Sequence, residues 1–373
     1  MDEYYMRRAI QLARRGAGFT SPNPMVGAVI VKDDEIIGEG FHAAYGENHA
    51  EIQALEEAGA QAEGADLYVT LEPCSHQGKT PPCVLSIIES GIDRVFIANE
   101  DPNPRVSGSG CEELINSGLE VKTGVLAAEA SRLNEAFLKY MKDNRPFFVQ
   151  KTAQTLDGYL ASSRGDSKWI TGEMARKYGH RLRHELDAVL VGSNTLKKDN
   201  PRLTVRAVSD PKSQPLRVVL AGDSDISKQA NLFQSGEKVL IFARDEVAAE
   251  LKVRFAACDR TEIVEVRCDK NEFLDLDEVA EDLANREIMS VLIEGGGRVN
   301  YSFLQSGLTD KFYFFLAPKL LGGNDGVAAF SGKAVNLISD TEKVQIEEIK
   351  MLGEDLMITA YPGKENSREN RTG

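Results

Sequence analysis

The sequence predicts two α/β domains, and three observations lead there. At 373 residues the chain is long for one domain, since domains usually run to about 100–200 residues. Buried-strand runs alternate with helical runs as far as Met141, the pattern of a layered α/β sheet. The stretch "KDNRPF", Lys142 to Phe147, then interrupts that pattern with charge, Asn and Pro. The expected division is residues 1–144, residues 145–361 and a polar tail, 362–373, that frays.

"MDEYYMRRAIQLARRG" opens with acids, unlike a signal peptide, and places Tyr5, Ala9, Leu12 and Ala13 on one stripe of an amphipathic helix. "MVGAVIVKDD" and "EIIGEGFH" predict a hairpin turning at Lys32–Asp34. "AEIQALEEAGA" predicts a helix, "ADLYVTLE" a buried strand, "CVLSIIESG" a helix ended by Gly91, and "DRVFIAN" another buried strand. "GSGCEELINSG", "LEVKTGV" and "AAEASRLNEAFLKYM" predict helix, strand and one further helix. Beyond the break come the strand "FFVQKTAQT", a turn at Asp157–Gly158 and "YLAS". "LDAVLVGSNT", "LRVVLAG", "EKVLIFAR", "TEIVEVRC", "SVLIEGGG" and "KFYFFLAP" follow as strands, with few helices expected between them, so a larger and mainly parallel sheet is expected.

The formal net charge of −14 argues against a nucleic-acid partner, which needs a basic face. A small anion remains compatible, because it needs only a local group of donors. No apolar run approaches the ~18 residues of a membrane span. Five cysteines, an odd number without a secretion signal, fit reduced thiols and a cytoplasmic location.

Chemistry concentrates in "HAE" (His49 to Glu51) and "TLEPCSHQGKTPPC" (Thr70 to Cys83). His49, Cys74 and Cys83 are three good zinc ligands that leave a fourth position open, as in catalytic rather than structural sites. Both cysteines are expected just before or at the start of a helix, where the positive helix end favours the thiolate. Zinc lowers the pKa of bound water to about 7. Glu51, two residues from the ligand His, is placed to collect that proton and deliver it to a leaving amine. Zinc nucleobase deaminases carry H-x-E followed by P-C-x-x-C. This chain has eight residues between its cysteines, so the inserted segment bulges toward substrate. Cys111, Cys258 and Cys268 read as ordinary thiols.

Together, "SPNPMVGAVIV", "GFHAAYGENHAE", "YVTLEPCSHQGKTPPC" and "DPNP" followed by "VSGSGCEELINSG" resemble the bifunctional deaminase–reductase family of riboflavin biosynthesis, whose cysteine spacing is this one. The resemblance implies a cytidine-deaminase-like α/β/α sandwich, with zinc on His49, Cys74 and Cys83 and Glu51 as proton shuttle. It implies a substrate pocket lined by Asn23, His42, His76, Lys79, Asp101 and Asn103. Read from the residues alone, Lys79 suits a phosphate or an exposed loop. His42 ends a strand before the zinc helix, and Asn23 lies in a rigid loop between two prolines.

In the second half, "IEGGGRVNYSFLQSG" sets Gly295, Gly296 and Gly297 between a buried strand and a helix. Such glycines let backbone N–H groups approach a phosphate, though a tight turn explains them equally well. With "KTAQTLDGYLAS", "SKWITG" and "GSNTLKKDNPRLTVR", this half resembles the dihydrofolate-reductase-like reductase domain of the same family, loosely from about Asp210 to Asn285. The resemblance implies NADPH held by Ala153, Trp169, Thr195, Asp199 and Gly295–Gly297, and substrate held by Ser167, Arg183, Leu203, Arg206 and Glu294. Arg183 and Arg206 suit a sugar phosphate, because guanidinium forks grip phosphate oxygens; a surface ion pair is the alternative for each. Lys151, expected at a strand end, would polarise the substrate C=N or C=O. Ser224 and Lys197 are candidates for the 2′-phosphate of NADPH.

The expected function is zinc-dependent deamination of 2,5-diamino-6-ribosylamino-4(3H)-pyrimidinone 5′-phosphate, followed by NADPH-dependent reduction of ribosyl to ribityl, in a cytoplasmic homo-oligomer. One rival is a nucleic-acid-editing zinc deaminase fused to a ligand-binding domain, which calls for a basic face and C-x-x-C. A second is a binding protein with structural zinc, which gives Glu51 no role.

Overall fold

The computed structural model describes residues 1–75, 81–103, 107–208, 214–269 and 273–363. The chain forms two compact units, Met1–Asn144 and Arg145–Gly373.

The first unit runs α1 (Asp2–Ala13), β1 (Gly27–Lys32), β2 (Glu35–Phe41), α2 (Ala50–Ala58), β3 (Asp66–Leu71), α3 (Cys83–Glu89), β4 (Arg94–Asn99), α4 (Ser109–Asn116), β5 (Glu120–Thr123), α5 (Ala127–Leu133) and α6 (Glu135–Asp143). Its sheet has the order β2-β1-β3-β4-β5. β1 is antiparallel to both neighbours, while β3, β4 and β5 are parallel. The hairpin turns on Asp33 and Asp34, with φ of 52° and 64°, the left-handed pair that matches strand twist in a two-residue turn.

Alternate strand residues face opposite sides. Ile30, Leu67, Val69, Val95 and Ile97 meet α2, α3 and α4 on one side. Val29, Val31, Tyr68 and Phe96 meet α1 and Ala130 of α5 on the other. The result is an α/β/α sandwich. Glycine sets how closely α2 lies on the sheet: a Cβ on Gly38 or Gly40 would sit 2.2 Å from Ala54 O or 2.1 Å from Ala50 O. The single helix expected over "AAEASRLNEAFLKYM" is two helices. They part at Asn134 (φ −111°, ψ 25°), whose amide bonds another segment's backbone instead of continuing the helix.

The second unit runs β6 (Phe147–Thr155), β7 (Tyr159–Ala161), α7 (Glu173–Glu185), β8 (Ala188–Gly192), α8 (Ser193–Asp199), β9 (Leu216–Ala221), β10 (Val239–Ala243), α9 (Asp245–Phe255), β11 (Thr261–Glu265), α10 (Leu276–Asn285), β12 (Ser290–Ile293), α11 (Gly297–Ser306), β13 (Thr309–Ala317), β14 (Val327–Ala328), β15 (Val344–Leu352) and β16 (Asp355–Pro362). The main sheet has the order β11-β10-β9-β8-β12-β6-β13-β16-β15. It is parallel from β11 to β13 and antiparallel beyond. Phe148, Leu190, Val218, Phe242 and Ile293 bury one face against α10 and Phe303 of α11.

Three expectations change here. Helices separate most of the strands, as parallel connections require. α7 and α9 were missed because charged residues interrupt their apolar stripes ("EMARKYGHRLRHE", "DEVAAELKVRF"). β15 and β16 were not expected; the β15 sequence "VQIEEIKML" mixes acids with apolar residues on an edge strand, whereas β16 lies between β13 and β15. The strand read over "LDAVLVGSNT" ends at Gly192, and Ser193 already begins α8. The tail lies outside the described residues apart from Pro362 and Gly363.

Candidate active sites

His49 is the N-cap residue of α2, and Glu51 lies in that helix's first turn. Cys83 is the first residue of α3. Cys74 is in the loop after β3, not at a helix start as expected, yet its Sγ accepts the Cys83 backbone N–H at 3.3 Å. His49 Nδ1 lies 3.1 Å from Cys83 Sγ and 3.5 Å from Cys74 Sγ. The three donor atoms all lie within 4.8 Å of one another. Zn–S of about 2.3 Å and Zn–N of about 2.0 Å place tetrahedral ligand atoms roughly 3.5–3.8 Å apart, so the donor set fits zinc. A hydrogen bond from Cys83 pulls the Cys74 thiol strongly down, while the same bond and burial push the Cys83 thiol up.

Glu51 is 3 % exposed, and its Oε2 has no hydrogen-bond partner. Burial pushes its carboxyl up to about 7. This is a carboxyl able to take and return a proton near neutrality. His42 packs edge-on against the His49 ring at 5.4 Å. Its Nδ1 is 3.3 Å from Asn48 O and its Nε2 is 3.1 Å from Asn23 Nδ2. Those partners suit a neutral ring with the proton on Nδ1, and burial lowers the His42 pKa accordingly. The structure thus brings Asn23 and His42 to the cluster. His76 and Lys79 lie outside the described residues.

Two residues that the sequence reading missed organise this site. Glu72, 6 % exposed, accepts four backbone N–H groups. Asp101 (2.9 Å) and Gly108 (3.0 Å) donate to Oε2, and Gly110 (2.8 Å) and Cys111 (3.2 Å) donate to Oε1. It ties the strand end before Cys74 to the loop holding Asp101 and Asn103, where Asn103 N also donates to Asp101 Oδ1 at 2.8 Å. Asn134 clamps Met25, accepting from its N–H at 2.9 Å and donating to its carbonyl at 2.8 Å, and so fixes the loop beside Asn23. The signal for Glu72 was available: an acid closing a buried strand, "YVTLE", needs buried partners. Nothing local marks Asn134.

In the second unit the candidates gather at the carboxyl ends of the parallel strands, where open α/β sheets bind ligands. Arg183 on α7 forms a two-pronged bond with Glu294, Nε to Oε1 at 2.5 Å and Nη2 to Oε2 at 2.8 Å. Burial alone would raise the Glu294 carboxyl, but Arg183 and Lys151 hold it down at about 2. Lys151 is mid-strand in β6 rather than at a strand end. The last paired residue of β12, Ile293, is level with Gln150, so Lys151 lies beside Glu294, just past the end of β12. Desolvation lowers the Lys151 pKa, and Glu294 opposes that shift.

Gly296 caps α11 and Gly297 begins it. A Cβ on Gly297 would sit 2.3 Å from Ala328 O, and one on Gly296 would sit 3.1 Å from Thr195 Oγ1. Close approach explains Gly297, and Thr195 borders the loop. Gly295 is equally tight, against the Val299 side chain. Asp199 ends α8 and accepts from Ser167 Oγ at 3.4 Å. Trp169 is 66 % exposed, with the Arg176 guanidinium 4.5 Å over its ring. Ala153 pairs with Phe315 in the sheet. Leu203 is buried with a φ of 53°. Arg206 is exposed. The 2′-phosphate candidates are both engaged by acids: Lys197 pairs with Asp223 at 2.7 Å and Asp225 at 3.6 Å, and Ser224 bonds Glu250.

Residues 1–99 match the cytidine and deoxycytidylate deaminase zinc-binding region, and residues 146–358 match the RibD C-terminal domain. A riboflavin biosynthesis protein RibD of Bacillus amyloliquefaciens is 45% identical over 363 residues, covering 97% of this chain and 96% of the relative. That of Aquifex aeolicus is 44% identical, covering 96% and 98%. Among solved structures, Acinetobacter baumannii RibD has a TM-score of 0.86 at 37% identity, covering 97% of this chain and 99% of that one. A Thermotoga maritima diaminohydroxyphosphoribosylaminopyrimidine deaminase/5-amino-6-(5-phosphoribosylamino)uracil reductase has a TM-score of 0.85 at 39% identity, with the same coverage. With its zinc-type cluster, its strand-end cluster and this full-length likeness, the chain belongs to the RibD family of riboflavin biosynthesis proteins.

Proposed function

We infer that the chain is a bifunctional enzyme. It deaminates 2,5-diamino-6-ribosylamino-4(3H)-pyrimidinone 5′-phosphate in its first unit and reduces the ribosyl group of the product to ribityl in its second. The carrying observation is Glu51, a buried carboxyl with an unpartnered oxygen, in the helical turn that follows His49 and next to Cys74 and Cys83. When bound there, zinc supplies Lewis-acid activation of water. Glu51 takes the water proton and returns it to the leaving amine, which departs as ammonia. Neutral His42 and Asn23 hold the pyrimidine edge with Asp101 and Asn103; His76 and Lys79, which lie outside the described residues, are the remaining substrate-binding candidates, Lys79 for the phosphate.

NADPH, when bound in the second unit, supplies hydride. Ala153, Trp169, Thr195, Asp199, Ser224 and the Gly295–Gly297 loop hold it, the last through backbone N–H groups at a helix start. Ser167, Arg183, Leu203, Arg206 and Glu294 hold the substrate. Lys151 polarises the C=N or C=O that is reduced.

The decisive experiment incubates pure protein with the diaminopyrimidine ribosyl phosphate and follows ammonia and NADPH separately. Ammonia release without NADPH, and NADPH consumption only after deamination, is the expected result. Ammonia release that requires NADPH would overturn the two-site reading.

The enzyme works in the cytoplasm, in keeping with thiols that are all free among the described residues; no helix there is long and apolar enough to cross a membrane. It acts as a homo-oligomer. β15 is an exposed edge strand, and a bulge between Ile346 and Glu348 keeps Val344, Ile346, Ile349 and Met351 on one face. All four are exposed. Such a face on a sheet edge suits a second copy of the chain. Ile349→Glu lowers the mass measured by light scattering to that of the monomer if this face makes the contact; an unchanged mass removes it.

A further inference from the structure

The second unit contains a cavity of about 470 Å³, within the range of small-ligand sites. Its walls include Arg202, Thr204, Arg206, Arg217, Ser235 and Glu237. Arg217, the second residue of β9, is 0 % exposed. Its Nη1 donates to Leu232 O at 3.2 Å and to Ser235 Oγ. Its Nε and Nη2 have no partner.

Among the described residues no carboxylate forms an ion pair with Arg217, Arg202 or Arg206. Glu237 acts on Arg217 only at a distance. An arginine does not escape burial by losing its proton. Buried charges are normally paired, and a buried polar group left unsatisfied asks for a reason. Three guanidinium groups around one cavity, against one carboxylate, in a chain of net charge −14, form a local exception to the overall acidity. A guanidinium fork matches phosphate oxygens in geometry and charge.

We propose that this cavity is an anion site for a phosphate monoester, with Arg217 as its buried charge and Arg202 and Arg206 closing from the rim. The site borders the reductase cluster, because Thr204 lines it while the Thr204 carbonyl accepts from Arg183 Nη1 at 3.3 Å. Leu203, held at its positive φ one residue before, fixes that shared wall. The phosphate is either that of the reductase substrate, which rests on the function proposed above, or that of a separate phosphorylated molecule. The recognition chemistry is the same for both.

The test uses the full chain and inorganic phosphate, with chloride at matched ionic strength as control. Phosphate raises the Tm of the wild-type protein, because a ligand of the folded state stabilises it. Arg217→Met abolishes that shift and Arg217→Lys restores part of it. Should Arg217→Met not fold, the double variant Arg202→Gln/Arg206→Gln, altered only at exposed positions, decides the matter; it should bind phosphate about tenfold to hundredfold more weakly. The absence of a phosphate-specific shift in the wild type, or a shift that survives in Arg217→Met or at full strength in the rim variant, overturns the proposal. Reductase kinetics then separate the sources. Competition between phosphate and the deaminated substrate assigns the site to that substrate, and non-competitive behaviour assigns it to a separate molecule. Because the Tm measurement needs no turnover, a chain without reductase activity would sink the functional reading while leaving the anion site standing.

Discussion

In the first unit, His49 and Cys83 meet across 34 positions of sequence, and Glu51 belongs to the same helical turn as His49. In the second, Arg183 of helix α7 meets Glu294 just past β12 across 111 positions, and the Lys151 beside them comes from a third element, strand β6. The first centre is thus written mostly into two short motifs with obligatory ligand chemistry. The second is assembled by sheet topology, which brings ordinary-looking residues to neighbouring strand ends. The difference predicts how each centre breaks. Single changes in the first should remove chemistry and spare the fold, whereas single changes in the second should disturb both.

The largest effect is expected for Glu51→Gln. The amide keeps size and shape but cannot shuttle a proton, so deamination falls by about 10²–10⁴-fold. Zinc content by metal analysis, and reduction of pre-deaminated substrate, stay at wild-type levels. A variant that still releases ammonia near the normal rate would show that the carboxyl is not the shuttle.

Glu294→Gln tests the other half. It leaves Arg183 and Lys151 without their shared counter-charge, and breaking a buried pair costs about 3–5 kcal/mol. Both reductase activity and the unfolding midpoint of the second unit should drop. The pH dependence has a definite sign. Glu294 has a depressed pKa, so its contribution is complete above the ordinary carboxyl range and is lost as pH falls from there toward about 2. Acid titration of the variant should lack that loss. Unfolding curves that superimpose on wild type would mean the pair is only a surface-like contact.

How much could be read in advance follows the same division. The hairpin turn at Asp33–Asp34, the sheet alternation and the clustering of His49, Cys74 and Cys83 follow from period, turn chemistry and motif spacing, all local signals. Lys151 was misplaced because its own strand continues, and only the shorter neighbour β12 leaves it at an edge. β15 was invisible because an exposed edge strand has no buried face to impose alternation; β16 pairs on both sides and does alternate, so its signal was there and went unread. α7 went unread because arginines and histidines cover much of it, yet those same residues deliver Arg183. The split at Asn134 is settled by Met25, a partner far away in sequence.

Glu72→Gln asks whether the first centre is as local as its motifs. The substituted amide keeps one acceptor oxygen but turns an NH2 group toward two of the four backbone donors. Losing charge-assisted bonds at a buried site costs about 2–3 kcal/mol. The loop bearing Asp101 and Asn103 should loosen, so KM for deamination rises more than kcat falls, while zinc content holds. A fall in kcat with KM unchanged would place the role of Glu72 at the metal ligands instead of the loop.

The smallest effect is expected for Asn134→Ala, which removes both bonds to Met25 without touching the cluster. Two neutral hydrogen bonds at about 0.5–1.5 kcal/mol each give a loss of roughly 1–3 kcal/mol, partly recovered because water can reach a half-buried Met25 backbone. Asn23 sits two residues earlier, so its bond to His42 weakens with the loop, and KM for deamination should rise a few-fold with reductase activity untouched. Asn134→Asp separates anchoring from packing. The carboxylate can still accept the Met25 N–H but cannot donate to the Met25 carbonyl, so its KM should fall between those of wild type and the alanine variant. If the alanine variant instead loses deamination by the factor seen for Glu51→Gln, the first centre depends on distant contacts as heavily as the second does, and the contrast between the two units fails.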